Sequence, residues 1–277
     1  MNLKEFAAKA LNRLGFLNSV SLNVPLNLNG TRQVVPIRKG IGFPNIYLGH
    51  DFDFSVYKYC ADAIRTGTFV DIGANIGQTA IHVFSLHPHQ KVISFEPNPA
   101  CVKYLEVLKA ANPQWELTVA PYGISDAEGV FKLFLNNPLD TGASFEKDGR
   151  KGYFSDDGFV EVRCITGDTL SRMVDGRVSF IKIDVEGFEL QVVKSLRDLI
   201  LKDKPVIYCE VLDANIQEDL DENFRMKTEL FEFVSKTLKY SVFRFDAEKQ
   251  GLVPVDEFPR GIYARENHDN CNYIFKD

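Results

Sequence analysis

Two groups of residues in this 277-residue chain have the types and spacing to do chemistry. One is a glycine turn, Thr68 to Gly77 (TFVDIGANIG), with Asp71, Gly73, Asn75 and Gly77 at every second position. The other is a trio of acids, Asp184, Glu186 and Glu210, set at the ends of apolar runs (IKIDVEG and VIYCEV). A carboxylate in such a place is costly unless it is paired or used. Like charges brought together raise at least one of their pKa values, which suits a general base. Oxygens of this kind could also hold Mg²⁺; a base without a metal ranks ahead. His50 and His82 are outside candidates for the same work, and His82 falls in a helical pattern where packing is the plainer expectation.

The turn narrows what it can bind. Glycine permits positive φ and leaves no Cβ between the backbone and a ligand. A dinucleotide fingerprint would read G-x-G-x-x-G; this turn reads D-x-G-x-x-x-G, with Asn75 where a middle glycine often sits. Asn tolerates the left-handed region, but its side chain crowds a pyrophosphate. S-adenosylmethionine carries no phosphate, and its amino-acid end can hydrogen-bond to Asp71 and to the turn backbone. Glu96 lies about 20 residues further on, where an acid accepts bonds from both ribose hydroxyls. Pro97 ends that strand, and the Asn98-Pro99 region opens the next helix. Ser125, in the turn after the third strand, is the candidate contact to the adenine.

These residues need an alternating frame to hold them. The expected elements are strand 68–72, helix 76–86, strand 91–95, helix 98–111 and strand 115–120. Two more strands are read over Gly129 to Leu135 and Phe159 to Ile165. The polar, glycine-bearing loop between them, Asn136 to Gly158, is expected to act as a lid or substrate loop. Strands at Val178 to Ile183 and Pro205 to Val211 carry the acids to the carboxyl edge, where open α/β sheets bind ligands. A helix lies between Glu218 and Tyr240. Ser241 to Phe245 and Asn272 to Phe275 are expected as an antiparallel pair at the sheet edge. Residues 1–60 are read as a cap, comprising an amphipathic helix from Leu3 to Leu14 and β-rich pieces over 20–50. Residues 61–277 form the main domain.

Composition excludes some partners. The chain is 45% hydrophobic and 25% charged, with net charge −6. That is ordinary globular composition, and its mild acidity argues against nucleic acid. Five scattered cysteines, none in a C-x-x-C pair, fit reduced thiols in a cytoplasmic protein. No run suits a secretory signal or a membrane span.

The set VDIGANIG, ISFEPNP, GISDAEG, IKIDVEGFEL and CEV, in this order from Thr68 to Val211, resembles the FkbM family of methyltransferases. The resemblance implies a class I methyltransferase Rossmann-like fold, a seven-stranded mostly parallel sheet with an antiparallel terminal hairpin. It implies S-adenosyl-L-methionine as cofactor and O-methylation of a hydroxyl on a sugar, glycan or natural product. By matching position, Asp71, Gly73, Asn75, Gly77 and Glu96 would hold the cofactor, while Asp184, Glu186 and Glu210 match acids of the later motifs. Thr166 to Leu170 departs from the family's usual Leu-Asp pairing. A nicotinamide-dependent oxidoreductase and a non-catalytic S-adenosylmethionine-binding protein are the alternatives. Asn75 and the antiparallel finish oppose the first, and the retained acids oppose the second.

Overall fold

The computed structural model describes residues 21–48, 52–147, 153–154, 158–264 and 269–277. The amphipathic pattern from Leu3 to Leu14, His50 and much of the 136–158 loop lie outside the described residues.

The described chain opens with a hairpin, β1 (Ser21–Leu28) and β2 (Thr31–Arg38). Asn29 and Gly30 close it, both at positive φ, as a two-residue turn matched to strand twist requires. Helices α1 (Phe52–Tyr59) and α2 (Ala61–Ile64) lead into β3 (Thr68–Ile72). The alternation then runs α3 (Gln78–Leu86), β4 (Lys91–Phe95), α4 (Pro99–Ala111) and β5 (Glu116–Ala120). Asn98 caps α4 by accepting from the Ala100 amide, and Pro99 starts it, as a helix start prefers.

A small sheet follows, in the order β6 (Gly123–Ile124), β8 (Phe159–Ile165), β7 (Gly129–Phe134). The chain returns to the main sheet through α5 (Gly167–Met173), β9 (Val178–Ile183), α6 (Glu189–Ser195), α7 (Arg197–Asp203) and β10 (Val206–Glu210). It ends with α8 (Leu220–Glu232), β11 (Ser241–Asp246), β12 (Gly251–Pro254) and β13 (Asn272–Lys276).

The main sheet is ordered β12-β11-β13-β10-β9-β3-β4-β5. Strands β10, β9, β3, β4 and β5 are parallel, while β13 pairs antiparallel with both β10 and β11. Seven of these strands make the expected class I methyltransferase frame. The eighth, β12, is an edge addition paired with β11; its four residues, between Gly251 and Pro254, are too short to show alternation.

Each face of the sheet buries its own apolar cluster. One gathers Val70, Ile72, Ile181, Ile183 and Cys209 under α6 to α8. The other gathers Phe69, Phe180 and Tyr208 with Tyr57 and the α3–α4 helices, and it includes Leu28 and Val35 of the hairpin. The hairpin is held there by polar pins. The Gln33 amide donates to the Ile81 carbonyl at 3.0 Å, and the Tyr104 hydroxyl donates to that of Pro36 at 2.7 Å. Buried Asn112 accepts from the Val34 amide at 2.8 Å and donates to the Val34 carbonyl at 2.7 Å. Replacing Asn112 by Ala leaves both Val34 groups unmatched, so urea unfolding should show a loss of about 1–3 kcal/mol. A loss below about 0.5 kcal/mol, typical of an exposed site, would mean the hairpin is not pinned this way.

Candidate active site

The pleat of the sheet builds the site. In-register neighbours share a face, and residues two apart along a strand return to it. Phe69 of β3 is level with Phe180 of β9, and their rings stack with centroids 5.0 Å apart. Two residues on, Asp71 is level with Lys182, flanked by Ser94 and Tyr208. Two further on come Gly73, Asp184 and Glu210, which therefore crowd together at the carboxyl edge. Asn272 of β13 is the register partner of Glu210.

The turn after β3 is fixed by its backbone. Gly73, Asn75 and Gly77 all have positive φ, at 81°, 47° and 82°. A Cβ on Gly73 would lie 1.8 Å from the Asp184 carbonyl oxygen, so no larger residue fits. Glu96 stitches the turn to α4. Its two oxygens accept from the Asn75 amide at 2.7 Å and the Asn98 amide at 2.8 Å. On the other side, the buried Asn45 amide donates to the Ile76 carbonyl at 2.7 Å.

Two cavities meet at this turn. The smaller, about 570 Å³, is walled by Gly73, Asn75, Glu96 and Pro97, with Tyr122 and Ile124 opposite. The larger, about 1440 Å³, is walled by Asp53, His82, Lys182, Asp184, Glu186 and Glu210, among others. Gly73, Asn75, Thr141, Asp184 and Glu186 belong to both. The smaller cavity suits a nucleoside: a carboxylate beside a turn of backbone amides, then an apolar slot. Burial pushes the Glu96 carboxyl up to about 7, against the pull of its two amide bonds.

Asp184, Glu186 and Glu210 each place an oxygen within 4.8 Å of the others. Burial pushes the Glu210 carboxyl well up, and the charges of Asp184 and Glu186 and a hydrogen bond with Asp184 add to that. Such spacing lets acids share a proton, and a divalent cation would also fit it. Lys182, however, already brings an ammonium to within 3.0 Å of Asp184 Oδ2. Neither acid caps α6: Phe188 stands at its N-cap with no side-chain bond.

The expected site residues thus divide. Gly73, Asn75, Glu96 and Pro97 line the smaller cavity, and the three acids line the larger. Asp71, expected at the cofactor, lines neither; it is fully buried beneath the turn, accepting from the Ser94 hydroxyl at 3.3 Å. Gly77 is the entry to α3, packed on Leu105 and Leu108. Ser125 is also absent from the cleft. Its pairing with β8 turns it inward, where its carbonyl accepts from the Ser195 hydroxyl at 2.6 Å and its own hydroxyl meets Asp126. Tyr122 and Ile124, on either side of Gly123, line the smaller cavity instead. His82 packs on Phe54 and Tyr57, with ring centroids 5.2 and 5.8 Å away, and shows an edge to the larger cavity.

Sequence reasoning missed Lys182 and Asp140. A lysine inside VSFIKI was the readable signal, since lysine is almost never buried unpaired. Asp140 organises the described start of the 136–158 loop, accepting from the Asn136 and Gly142 amides and the Tyr153 hydroxyl at 2.8, 3.0 and 2.8 Å. Thr141 beside it roofs both cavities.

Comparison with known proteins gives a family. The FkbM methyltransferase domain matches residues 71–245. The chain belongs to this family. It is therefore an S-adenosylmethionine-dependent methyltransferase, and the nicotinamide alternative is set aside. Methyltransferase sdnD of Sordaria araneosa is 28% identical over 180 residues, covering 56% of this chain and 67% of that one. The hexuronic acid methyltransferase AglP of Haloferax volcanii is 30% identical over 131 residues, covering 46% of this chain and 48% of that one. The chain thus spans about two thirds and about half of these relatives' lengths. A crystal structure of methyltransferase FkbM from Methylobacillus flagellatus KT is 16% identical, with 80% of this chain and 47% of that one covered at a TM-score of 0.46. Among the described residues no helix is long and apolar enough to cross a membrane. The five cysteines are free and buried.

Glu96 gives a pH signature with a definite sign. Its folded pKa of about 7 lies above the ordinary 4.5, so the folded state holds a proton that the unfolded state has released. Stability contributed by that proton is complete below about 4.5 and is lost as pH rises through about 7, on the order of 3 kcal/mol. Glu96→Gln should flatten this fall in urea-denaturation profiles. Glu96→Ala should weaken S-adenosylhomocysteine binding in calorimetry by about 1–3 kcal/mol; unchanged affinity would remove Glu96 from the ribose.

Proposed function

We propose that this protein transfers the methyl group of S-adenosylmethionine to a hydroxyl of a sugar, glycan or natural product. One observation carries the reading. The smaller cavity beside the glycine turn and the large polar cavity share one wall, and Asp184 and Glu186 of the acid trio stand in it.

Bound there, the sulfonium supplies an already activated methyl group. The chain's task is to hold the acceptor oxygen in line with that methyl and to take its proton. Alignment alone supplies a large share of the acceleration. A hydroxyl is a poor nucleophile until its proton leaves, and a carboxylate of the trio is the base in reach. That carboxylate would take the hydroxyl proton as the acceptor oxygen is methylated. Glu96, Gly73 and Asn75 hold the nucleoside end, while Thr141 and its loop help to exclude water.

The polar lining of the larger cavity favours a polyhydroxylated acceptor. The likeness to a hexuronic acid methyltransferase points to sugars as well. Asp53, Asp184, Glu186 and Glu210 outnumber Lys182, the single lysine or arginine among the described lining residues. An uncharged sugar suits that balance better than an acidic one, since like charges at close range repel.

The amide series tests the base. Of Asp184→Asn, Glu186→Gln and Glu210→Gln, at least one should lose roughly 10²–10⁴-fold in turnover with S-adenosylhomocysteine affinity nearly unchanged. The assay is methyl transfer to matched neutral and carboxylated glycosides, with the product methyl located by mass spectrometry. Three amides at parent activity would leave alignment or His82 to explain the rate. Loss of activity in EDTA with recovery in Mg²⁺ would make the trio a metal site. A methyl found on nitrogen or carbon would remove the hydroxyl acceptor.

A further inference from the structure

Lys182 is the buried charge that the transfer chemistry has not yet used. Register sets it in a polar row, Ser94–Asp71–Lys182–Tyr208, across four parallel strands. Its ammonium donates to the Gly73 carbonyl at 2.9 Å and to Asp184 Oδ2 at 3.0 Å, and lies 3.8 Å from Asp71 Oδ1. The side chain is only 10% exposed. The charged groups acting on it are all acidic: Asp184, Asp71 and Asp53, with Glu210 and Glu96 beyond. Tyr57 and Tyr208, on the same face, are kept neutral by burial and by Asp53. Burial disfavours the Lys182 charge, but Asp184 and Asp71 outweigh it and hold the ammonium.

The two groups it grips come from different strands. Gly73 belongs to the turn after β3, and Asp184 to the loop after β9. Both stand in the wall common to the two cavities. We propose that Lys182 is a positioning residue for methyl transfer. Its one ammonium locks the Gly73 carbonyl and the Asp184 carboxylate across the shared wall, keeps the cluster's negative charge on Asp184, and leaves the shared proton on Glu210.

This division of roles follows from the contacts. Asp184 is bonded to a permanent cation on one side and to Glu210 on the other. Glu210 is the more deeply buried of the two, and a neutral carboxyl costs least there. An acceptor hydroxyl entering the larger cavity then meets an ionised carboxylate already aimed by the cofactor's own turn. Asp71, which lines neither cavity, tunes the device from below by competing for the same ammonium.

The inference rests on the trio acting at the acceptor, and its test needs no acceptor. The full-length chain saturated with S-adenosylhomocysteine is titrated by infrared difference spectroscopy, following the protonated-carboxyl stretch. In the parent at pH 7, Glu210→Gln should remove its own component of that band and leave the one Glu96 contributes. Lys182→Met should make the Glu210 component persist to higher pH and add a second band, which Asp184→Asn removes. The same variant should weaken S-adenosylhomocysteine binding about tenfold, the loss of one charged hydrogen bond, because the Gly73 carbonyl is released. Lys182→Arg should restore both properties to within about threefold of the parent. Should Lys182→Met not fold, Asp71→Asn gives the opposite sign, with the band titrating at lower pH because the ammonium then serves Asp184 alone. Carboxyl bands that ignore both the Lys182 and Asp71 substitutions would overturn the proposal and leave Lys182 a structural ion pair. If the bands move as described while the amide variants keep full turnover, the positioning stands and the base reading falls.

Discussion

Gly73 can occupy its position only because it has no Cβ, since the carbonyl oxygen of Asp184 stands where one would be. That close approach brings the end of β3 against the end of β9. Both ends stand in the wall that the two cavities share. The other supports serve this contact. Glu96 ties the turn to α4, Asn45 ties it to the segment before α1, and Lys182 ties it to Asp184. The backbone here is held in the left-handed region at three alternate positions, a conformation that persists only where its surroundings over-determine it.

The two faces of the sheet divide the labour. The α6–α8 face is apolar along its length, as a parallel sheet covered by helices should be. On the α1–α3 face, stacked Phe69 and Phe180 give way within one pleat to the Asp71–Lys182 pair, and within the next to the acids. The aromatic layer is a rigid, dry floor beneath the charges. Its low dielectric strengthens every pairing above it and raises the carboxyls of Asp71, to about 6, and of Glu96.

How much of this was legible depended on range. The glycine turn, the Asn98 cap and the alternation of strands and helices were readable because each is written in adjacent residues. The acids were readable as strand ends, and period-two counting alone would have set Asp184 level with Gly73 once β9 was placed beside β3. The burial of Asp71 beneath the turn was not legible, because a strand residue's surroundings are chosen by its neighbours in space, here a lysine 111 positions away on β9. The inward turn of Ser125 was hidden for the same reason, since it is set by β8, some 40 residues on. Strand β12 left no periodic trace in four residues. Lys182 did leave a trace, an isolated charge in an apolar strand, and reading it requires asking what pays for its burial.

The placement of β13 has a consequence for how the molecule is made. It is the last strand in chain order, yet it lies inside the sheet, between β10 and β11. Roughly 60 residues separate the end of β10 from its start, so β10 waits about 3–12 s at ordinary elongation rates of 5–20 residues per second. During that interval the apolar run Val206–Glu210 has one flank paired to β9 and the other open. An open edge of this kind is a template for another chain. Newly made copies on neighbouring ribosomes therefore face a race between strand insertion in cis and strand capture in trans, and the winner is decided by translation speed as much as by folding energy.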